Sequence, residues 1–241
     1  MTTSAWLRGP VSSGATPRQR LFVFPHAGAG ASAYRLSAFL PDTVEVCTVQ
    51  LPGRENRFAE PALTSLDAAV DALAPLIAGR TELPYAFFGH SMGALIAFET
   101  ARRLRGLGAP LPVRLFLSGM RAPGRPDRRP RHALPDDELL ATADFDGVDE
   151  ELRELLLPVL RADLTLCETY APRDEAPLPC PVTVLAGADD DSVDEADLAA
   201  WREHTSAGFE LHLVPGAPHL YVRGAEPELA GHILRSFPVR G

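Results

Sequence analysis

The sequence contains no lysine and only three cysteines. Cys47, Cys167 and Cys180 form no CxxC pair and leave an odd number, so we expect neither a disulfide framework nor a zinc site. All 23 basic residues are arginines, and the 32 acidic residues outnumber them to give a net charge of −9. Because a phosphate backbone repels negative charge, this balance argues against a nucleic-acid partner.

Long hydrophobic runs are also missing. The longest stretch without a charged residue, residues 83–98, has 16 positions and includes Pro84, Gly89 and His90. It is too short and too polar to span a membrane. Residues 1–20 show no apolar core followed by small residues, so a secretory signal is not expected either. We therefore expect a cytoplasmic protein that does not bind membranes. We also expect it to act as a monomer.

The hydrophobic pattern predicts an α/β fold. With 241 residues, 46% of them hydrophobic, one domain can bury roughly 70–75% of its unfolded surface. Strand-length apolar runs alternate with segments of helical period, which predicts a mostly parallel sheet with helices on both faces. The predicted strands are 21–24, 45–49, 85–88, 113–117, 182–186 and 210–214. The predicted helices are 33–40, 65–77, 92–104, 195–203 and 228–236.

One insertion interrupts this alternation. Residues 121–135 read RAPGRPDRRPRHALP, and two or three short helical patterns follow, up to Tyr170. Insertions of this length are usually functional lids or linkers. This one leaves from the end of strand 113–117, at the sheet edge where ligands bind in α/β folds. We predict that residues 121–170 form a lid; the alternative is a solvated, proline-rich linker followed by packing helices.

The most informative motif is Gly89-His90-Ser91-Met92-Gly93, which matches GxSxG. It follows a predicted strand and begins a predicted helix, which is the context that a nucleophilic serine requires. The glycines permit a sharp turn, and the helix directs its positive end toward any anion formed there. Ser91 is therefore the predicted nucleophile, and the alternative is a capping serine in a tight turn.

A serine hydroxyl is a weak nucleophile and needs a base that a third group holds in place. With this motif the chain order is serine, then an acid, then histidine. His219 lies in a loop between strand 210–214 and the last helix, so it is the predicted base. His90, His204 and His212 fit less well, because they fall in the turn itself, late in a helix and inside a strand.

Three consecutive aspartates offer the acid. They follow strand 182–186, and only one of them can orient the imidazole. The spacing GxxDxxV, counted from Gly187 to Val193, selects Asp190. Asp189 and Asp191 stay open as alternatives, with turn or helix-capping roles if they are not the acid.

A glycine-rich loop, Phe24-Pro25-His26-Ala27-Gly28-Ala29-Gly30, follows the first predicted strand. It lacks both GxGxxG and a Walker Lys-Ser/Thr ending, so a nucleotide site is not expected. In a hydrolase, this loop supplies a backbone donor to the developing oxyanion. We assign the oxyanion hole to the backbone N–H groups of Ala27 and Met92.

Six segments are informative when they are taken together in chain order. They are FPHAGAGASAY, QLPGRENR, FFGHSMGALIAFETARRL, LSGMRAPGRPDR, LLLPVLRADLTLCETY and WREHT. Together they resemble the type II thioesterases that accompany polyketide and nonribosomal peptide synthetases. The resemblance implies an α/β-hydrolase fold. It also implies hydrolysis of acyl groups from the phosphopantetheine arm of acyl or peptidyl carrier domains, which clears stalled or misprimed synthases. No cofactor or metal is implied, because phosphopantetheine arrives as part of the substrate.

The resemblance also bears on individual residues. In that family the acid lies eleven residues before the tryptophan of the WxxHT segment, and Trp201 again selects Asp190. The family's Gly-Gly-His-Phe loop is replaced here by Gly216-Ala217-Pro218-His219-Leu220, which has one extra residue. The lid segment before LLLPVLRAD is shorter than usual.

Charge in the insertion suggests where a carrier would dock. Carrier domains of such synthases are typically acidic, so a protein of net charge −9 needs a local basic patch to meet one. Residues 121–132 provide a local charge of +5 − 1 = +4, with Asp127 as the single acid. We predict docking through this segment, and the alternative is a solvated loop. Its arginines are Arg121, Arg125, Arg128, Arg129 and Arg131.

Two other kinds of function remain open: a different enzyme that uses the same triad, and a protein without catalytic activity. A small-molecule esterase or an acyltransferase would use the same three residues with a different leaving group or acceptor, which the triad does not encode. A catalytically silent carrier-binding module is a third possibility, against which the complete serine, acid and histidine order argues.

Overall fold

The computed structural model describes residues 5–9, 16–127, 129–142 and 149–237. In this part of the chain, the strands are β1 (Leu7–Arg8), β2 (Gln19–Phe24), β3 (Val44–Val49), β4 (Tyr85–His90), β5 (Leu115–Ser118), β6 (Val182–Gly187) and β7 (Phe209–Val214). They form one sheet in the order β1-β3-β2-β4-β5-β6-β7. All neighbours pair in parallel except β1 and β3, which are antiparallel.

Helices cover both faces of this sheet. They are α1 (Leu66–Ala78), α2 (Met92–Gly106), α3 (Asp136–Thr142), α4 (Glu150–Glu168), α5 (Glu195–Ala199) and α6 (Glu226–Ser236). Alternate residues of β2 point to opposite faces, as the pleat requires. Phe22 belongs to the same buried cluster as Leu73 of α1, whereas Val23 belongs to the same cluster as Ile233 of α6. The predicted mostly parallel α/β sheet is confirmed.

Two predicted helices are wrong in part. The segment 33–40 forms two short 3₁₀ turns, Ala31–Ala33 and Leu36–Ala38, with extended backbone at Tyr34 between them. The extended residue places the Tyr34 ring against Phe88 of the sheet, which a continuous helix would not do. The predicted helix 195–203 is α5 followed by a 3₁₀ turn, Ala200–His204.

The insertion contains longer regular structure than its sequence pattern predicts. In place of short patterns, α4 continues for 19 residues and includes Pro158. Asp149 caps its first turn by accepting a hydrogen bond from the N–H of Leu152 at 2.8 Å. The pattern also missed β1, because a strand of two residues has too little alternation to detect.

The parallel sheet determines where functional groups meet. Strands β2, β4, β6 and β7 all end at one edge, so the loops that follow them lie side by side. These loops carry Ala27, Ser91, Asp190 and His219, which the sequence assigned to one site. Among the described residues, no helix is long and apolar enough to cross a membrane.

Candidate active site

Ser91 occupies a strained turn between β4 and α2. Its backbone has φ +53° and ψ −125°, a conformation that residues with a side chain rarely adopt. The turn is held by a hydrogen bond from the N–H of Ser91 to the carbonyl of Ser118, at 2.7 Å. The strain presents the Ser91 side chain at the sheet edge, directly before the N-terminus of α2.

The two glycines of this motif are required by space. A Cβ at Gly89 would lie 2.3 Å from the carbonyl oxygen of Gly93, and a Cβ at Gly93 would lie 2.0 Å from that of Phe24. Neither contact is possible without moving backbone. Glycine therefore lets the first turn of α2 pack directly on the ends of β2 and β4.

The structure brings the predicted serine, histidine and aspartate into one hydrogen-bonded series. His219 Nε2 lies 3.1 Å from Ser91 Oγ, and its Nδ1 lies 2.7 Å from Asp190 Oδ2. These distances are within the reach expected for a nucleophile, a base and the group that orients the base.

Asp190 is enclosed, in contrast to the aspartates on either side of it. Its side chain has no exposed surface, whereas that of Asp191 is 89% exposed, and Asp189 is exposed as well. Burial alone would raise the pKa of Asp190, but hydrogen bonds with His219 and Ser192 outweigh it and the pKa is lowered. The carboxylate next to His219 is therefore ionised at neutral pH.

Ser192 is a further member of this site that sequence reasoning missed. Its N–H and its hydroxyl donate to Asp190 Oδ1 at 2.9 and 2.5 Å, and its Oγ lies 3.1 Å from His219 Nδ1. These bonds leave the other oxygen of Asp190 directed at His219. The only sequence signal was its place two residues after the aspartate, a spacing typical of an Asx turn.

The extra residue in the histidine loop does not keep His219 from reaching Ser91. Gly216 takes φ +67°, and the carbonyl of Ala217 accepts a hydrogen bond from the N–H of Asp189 at 3.0 Å. A Cβ at Gly187 would lie 2.0 Å from that same carbonyl, so a glycine is required there. The acid loop and the histidine loop are thus joined directly through their backbones.

A second buried network lies beneath His219. His90 is fully buried and its Nδ1 lies 2.9 Å from Ser118 Oγ, which in turn is 2.8 Å from the hydroxyl of Tyr221. The rings of His90 and His219 are 5.1 Å apart. Burial, then the nearby charges of His219 and His26, hold the pKa of His90 well below its usual range. A neutral His90 adds no repulsion when His219 takes up a proton.

The two N–H groups assigned to the oxyanion hole have no hydrogen-bond partner among the described residues. Met92 follows Ser91 directly and is the first residue of α2, where N–H groups have no partner within the helix. Ala27 lies in the loop after β2 and lines the same cavity as Ser91. Their assignment to the oxyanion hole stays a prediction.

A cavity of about 300 Å³ opens next to Ser91 and His219. Its lining includes residues 121–127, at the start of the insertion, and residues of α4 together with Tyr170 and Pro172. Leu164 and Cys167 of α4 contribute apolar surface to it, as do Leu95 and Met120. Residues of the segment 121–170 therefore border the space in which a substrate at Ser91 would lie.

The structure shows which arginines of residues 121–132 lie next to acidic groups. Arg121 is directed inward, with Nη1 2.6 Å from Asp127 Oδ2, and its side chain is 18% exposed. Arg131 Nε lies 4.0 Å from the buried carboxylate of Glu168, an acid 37 positions away that the local count of +4 did not include. Arg121 is thus paired within the protein, whereas the side chain of Arg131 is 41% exposed and its contact with Glu168 is a weak one.

Two docking candidates do project from the surface. Arg125 is 43% exposed and lies 3.9 Å from Glu203, and Arg129 is 78% exposed and lies 3.8 Å from Asp191. Distances near the 4 Å limit indicate weak surface pairs. Arg128 lies outside the described residues.

Among the described residues, no group of three or more histidine, cysteine or acidic side chains is arranged to hold a metal ion. The three cysteines are free thiols: Cys47 and Cys180 are buried, and Cys167 is half-buried. Burial raises the pKa of Cys47 to about 11.

Comparison with known proteins shows the family. A model of the thioesterase domain matches residues 19–237. The gramicidin S biosynthesis protein GrsT of Aneurinibacillus migulanus is 42% identical over 219 residues, which cover 87% of this chain and 85% of that protein. Thioesterase PikA5 of Streptomyces venezuelae is 42% identical over 228 residues, which cover 89% of this chain and 79% of PikA5.

Solved structures agree with this result. The type II thioesterase BorB from the borrelidin biosynthetic cluster has a TM-score of 0.86 at 36% identity and covers 98% of this chain and 97% of its own. The thioesterase RedJ from the prodiginine pathway of Streptomyces coelicolor has a TM-score of 0.86 at 37% identity. The match covers 95% of this chain and 96% of RedJ. The chain belongs to the thioesterase family. It is a serine hydrolase of α/β-hydrolase fold, and its resemblance to type II thioesterases is confirmed.

Proposed function

We propose that this thioesterase removes acyl groups from the phosphopantetheine arm of acyl or peptidyl carrier proteins and so clears stalled or aberrant intermediates. The similar proteins named above belong to gramicidin S, borrelidin and prodiginine biosynthesis, which supports a role in polyketide or nonribosomal peptide synthesis. The observation that carries the proposal is the series Asp190, His219 and Ser91 at the wall of a cavity.

The first step forms an acyl-enzyme. Ser91 Oγ attacks the thioester carbonyl while His219 Nε2 takes its proton, and the negative carbonyl oxygen accepts hydrogen bonds from the N–H groups of Ala27 and Met92. Asp190 stabilises the imidazolium through Nδ1. When the tetrahedral intermediate collapses, the carbon–sulfur bond breaks and His219 returns the proton to the pantetheine sulfur, which leaves as the thiol.

The second step is hydrolysis of this ester. A water molecule attacks the acyl carbon while His219 takes one of its protons. The bond to Ser91 Oγ then breaks, and the proton on His219 restores the serine hydroxyl. The products are the free acid and the unchanged enzyme, so the cycle needs neither a metal nor a redox partner.

The insertion 121–170 acts in this proposal as a lid within one α/β-hydrolase domain spanning the chain. Its support is the placement of Arg121, Leu164 and Cys167 around the cavity that Ser91 enters. A lid in this position limits the length and polarity of the acyl group, because the acyl chain must fit between α4 and the sheet edge.

In this proposal the acidic carrier protein binds to Arg125 and Arg129. Their side chains are 43% and 78% exposed. Arg125 lines the cavity beside Ser91, and Arg129 lines a neighbouring cavity that Arg121 and Asp127 also line. A cytoplasmic location and action as a monomer stay predictions from the sequence.

The experiment is turnover on a panel of acyl-loaded carrier proteins, with the same acyl groups on N-acetylcysteamine and on a simple alcohol. We expect thioester hydrolysis, with higher kcat/KM on the carrier than on the carrier-free thioester, and none with Ser91→Ala. Absence of thioester hydrolysis would contradict the proposal. Faster cleavage of the oxygen ester would favour an esterase, and transfer to added alcohol or amine in preference to water would favour an acyltransferase.

A further inference from the structure

A buried ion pair joins two sequence segments that the triad does not use. Arg54, in QLPGRENR, directs Nη1 and Nη2 at Asp163 Oδ2 and Oδ1, at 2.6 and 2.8 Å. Their side chains are 3% and 1% exposed. Asp163 belongs to α4, so the pair connects the proposed lid helix to the body of the protein.

The same carboxylate also holds the oxyanion loop. Asp163 Oδ2 accepts a hydrogen bond from the N–H of Gly28 at 2.7 Å. Arg54 Nη1 donates to the carbonyl of Ala29 at 3.2 Å. Two successive residues of the loop after β2 are therefore fixed by the two halves of one ion pair.

This arrangement leaves one N–H group of the loop unused. The N–H of His26 donates to the hydroxyl of Tyr34 at 3.4 Å, and that of Gly28 donates to Asp163. Between them, the N–H of Ala27 has no partner within the described part of the chain. The N–H of Ala27 belongs to the planar peptide unit between these two fixed units. The carbonyl of that unit, from His26, accepts a hydrogen bond from the N–H of Ala29 at 3.1 Å, so the direction of the Ala27 N–H is restricted.

We propose that Asp163, held in place by Arg54, is a positioning residue for the oxyanion donor Ala27. The inference rests on the proposed function, since it assumes an oxyanion forms at Ser91. Its consequence is that the stability of the transition state depends on a carboxylate of α4, outside the triad. A buried ion pair by itself is weak evidence for a stabilising role, so the hydrogen bond to Gly28 is the contact that decides.

Two double variants isolate that contact. Arg54→Met with Asp163→Asn removes both charges but keeps an acceptor for the N–H of Gly28. Arg54→Met with Asp163→Leu removes the charges and the acceptor together. Both lack the ion pair and the bond from Arg54 to Ala29, so they differ mainly in the hydrogen bond to Gly28.

The readout is hydrolysis of an acyl-N-acetylcysteamine thioester per folded molecule, with inhibition by a short alkyl boronic acid, which forms a tetrahedral adduct on the serine. We expect the leucine variant to lose about 10- to 100-fold in kcat relative to the asparagine variant, with KM within about twofold. Boronic acid affinity should weaken by the same factor as kcat/KM, because both depend on the oxyanion hole.

Control variants separate a loss of kcat caused by a misplaced oxyanion donor from a loss of stability. Arg20→Met removes another buried arginine, which binds Glu45 and Glu82 at the opposite end of β2, and should keep kcat. If the leucine variant does not fold, Asp163→Ala in the same Arg54→Met background replaces it, because it also removes the acceptor for the N–H of Gly28. It should lower kcat relative to the asparagine variant while KM is kept.

Equal kcat in the asparagine variant and in the variant that lacks the acceptor would overturn the proposal. So would a loss that appears only in KM or only in the melting temperature. If the unchanged protein and Arg20→Met fail to hydrolyse the thioester at all, the proposed function is contradicted and not the positioning role.

Discussion

Asp190 Oδ2 lies 2.7 Å from Nδ1 of His219, while Ser192 binds the other carboxylate oxygen. This contact places the proton of the neutral imidazole on Nδ1 and leaves Nε2 free to accept from Ser91. The lowered pKa of Asp190 keeps the carboxylate ionised, so it stabilises His219 when the ring becomes charged. Geometry and charge thus agree on which nitrogen acts as the base.

Replacing the acid tests this relationship. Asp190→Asn should lower kcat by about 10³- to 10⁴-fold, because an amide cannot hold the productive tautomer or stabilise the imidazolium. Asp189→Asn and Asp191→Asn are matched controls on the same loop and should stay within about threefold of wild type. Steady-state kinetics on one thioester decides, and a larger loss in Asp191→Asn would show that the acid was misassigned.

The strained backbone at Ser91 should lower the stability of the folded protein. A non-glycine residue at φ +53° carries strain of about 1–3 kcal/mol. Ser91→Gly should therefore raise the free energy of unfolding by about 1 kcal/mol while abolishing turnover, and Ser91→Ala should abolish turnover without that gain. Urea denaturation of the three proteins measures the difference. A glycine variant no more stable than the alanine variant would argue against strain at this turn.

Buried histidines should make the fold sensitive to acid. Burial, then the charges of Arg223 and His219, lower the pKa of His26 from 6.5 to about 3. The unfolded chain binds a proton there as pH falls below 6.5 and the folded chain does not, so stability is lost across that range. A histidine that is protonated only in the unfolded chain changes the free energy of unfolding by about 1.4 kcal/mol per pH unit.

The variant His26→Asn removes one of these groups. We expect the dependence of the unfolding free energy on pH, measured from 6 to 4, to become shallower by about 1.4 kcal/mol per unit. Tyr34→Phe removes the hydroxyl that contacts His26 but keeps the histidine, so its slope should match wild type. An unchanged slope in His26→Asn would mean that the buried ring takes up a proton in the folded state.

Carrier recognition should respond to two exposed arginines. Arg125→Gln with Arg129→Gln should lower kcat/KM for an acyl-carrier substrate and leave that for a carrier-free thioester unchanged. The loss should shrink as salt rises, because the Debye length falls from about 10 Å at 0.1 M to about 3 Å at 1 M. Arg8→Gln, at an exposed arginine of the edge strand β1, is the control. Equal effects on both substrates would remove these arginines from the carrier interface.

Local patterns allowed much of the site to be predicted. Ser91 follows a strand and begins a helix within a few residues, so its turn is encoded next to it. Asp190 and His219 each follow a strand that the apolar pattern reveals, and a parallel sheet brings such loops together. The roles assigned to these residues remain proposals that the variants above test.

Contacts between distant segments could not be predicted. Arg54 and Asp163 are 109 positions apart, and no spacing rule pairs them. The count of charge over residues 121–132 could not include Glu168 for the same reason, since this acid comes next to Arg131 and His132 only through the fold. Tyr34 shows that a local pattern can also mislead. The apolar pattern around it predicted a helix, but the residue is extended and its ring packs against His26 and Phe88.

The central claim is that Ser91 carries the acyl group between the two steps. Mass spectrometry of the protein mixed briefly with an acyl-loaded carrier tests it directly, with the reaction stopped by acid. We predict one acyl mass on the peptide that contains Ser91, decaying as free acid appears, and none in Ser91→Ala. Hydrolysis that proceeds in Ser91→Ala, or an acyl group found on another residue, would contradict the account.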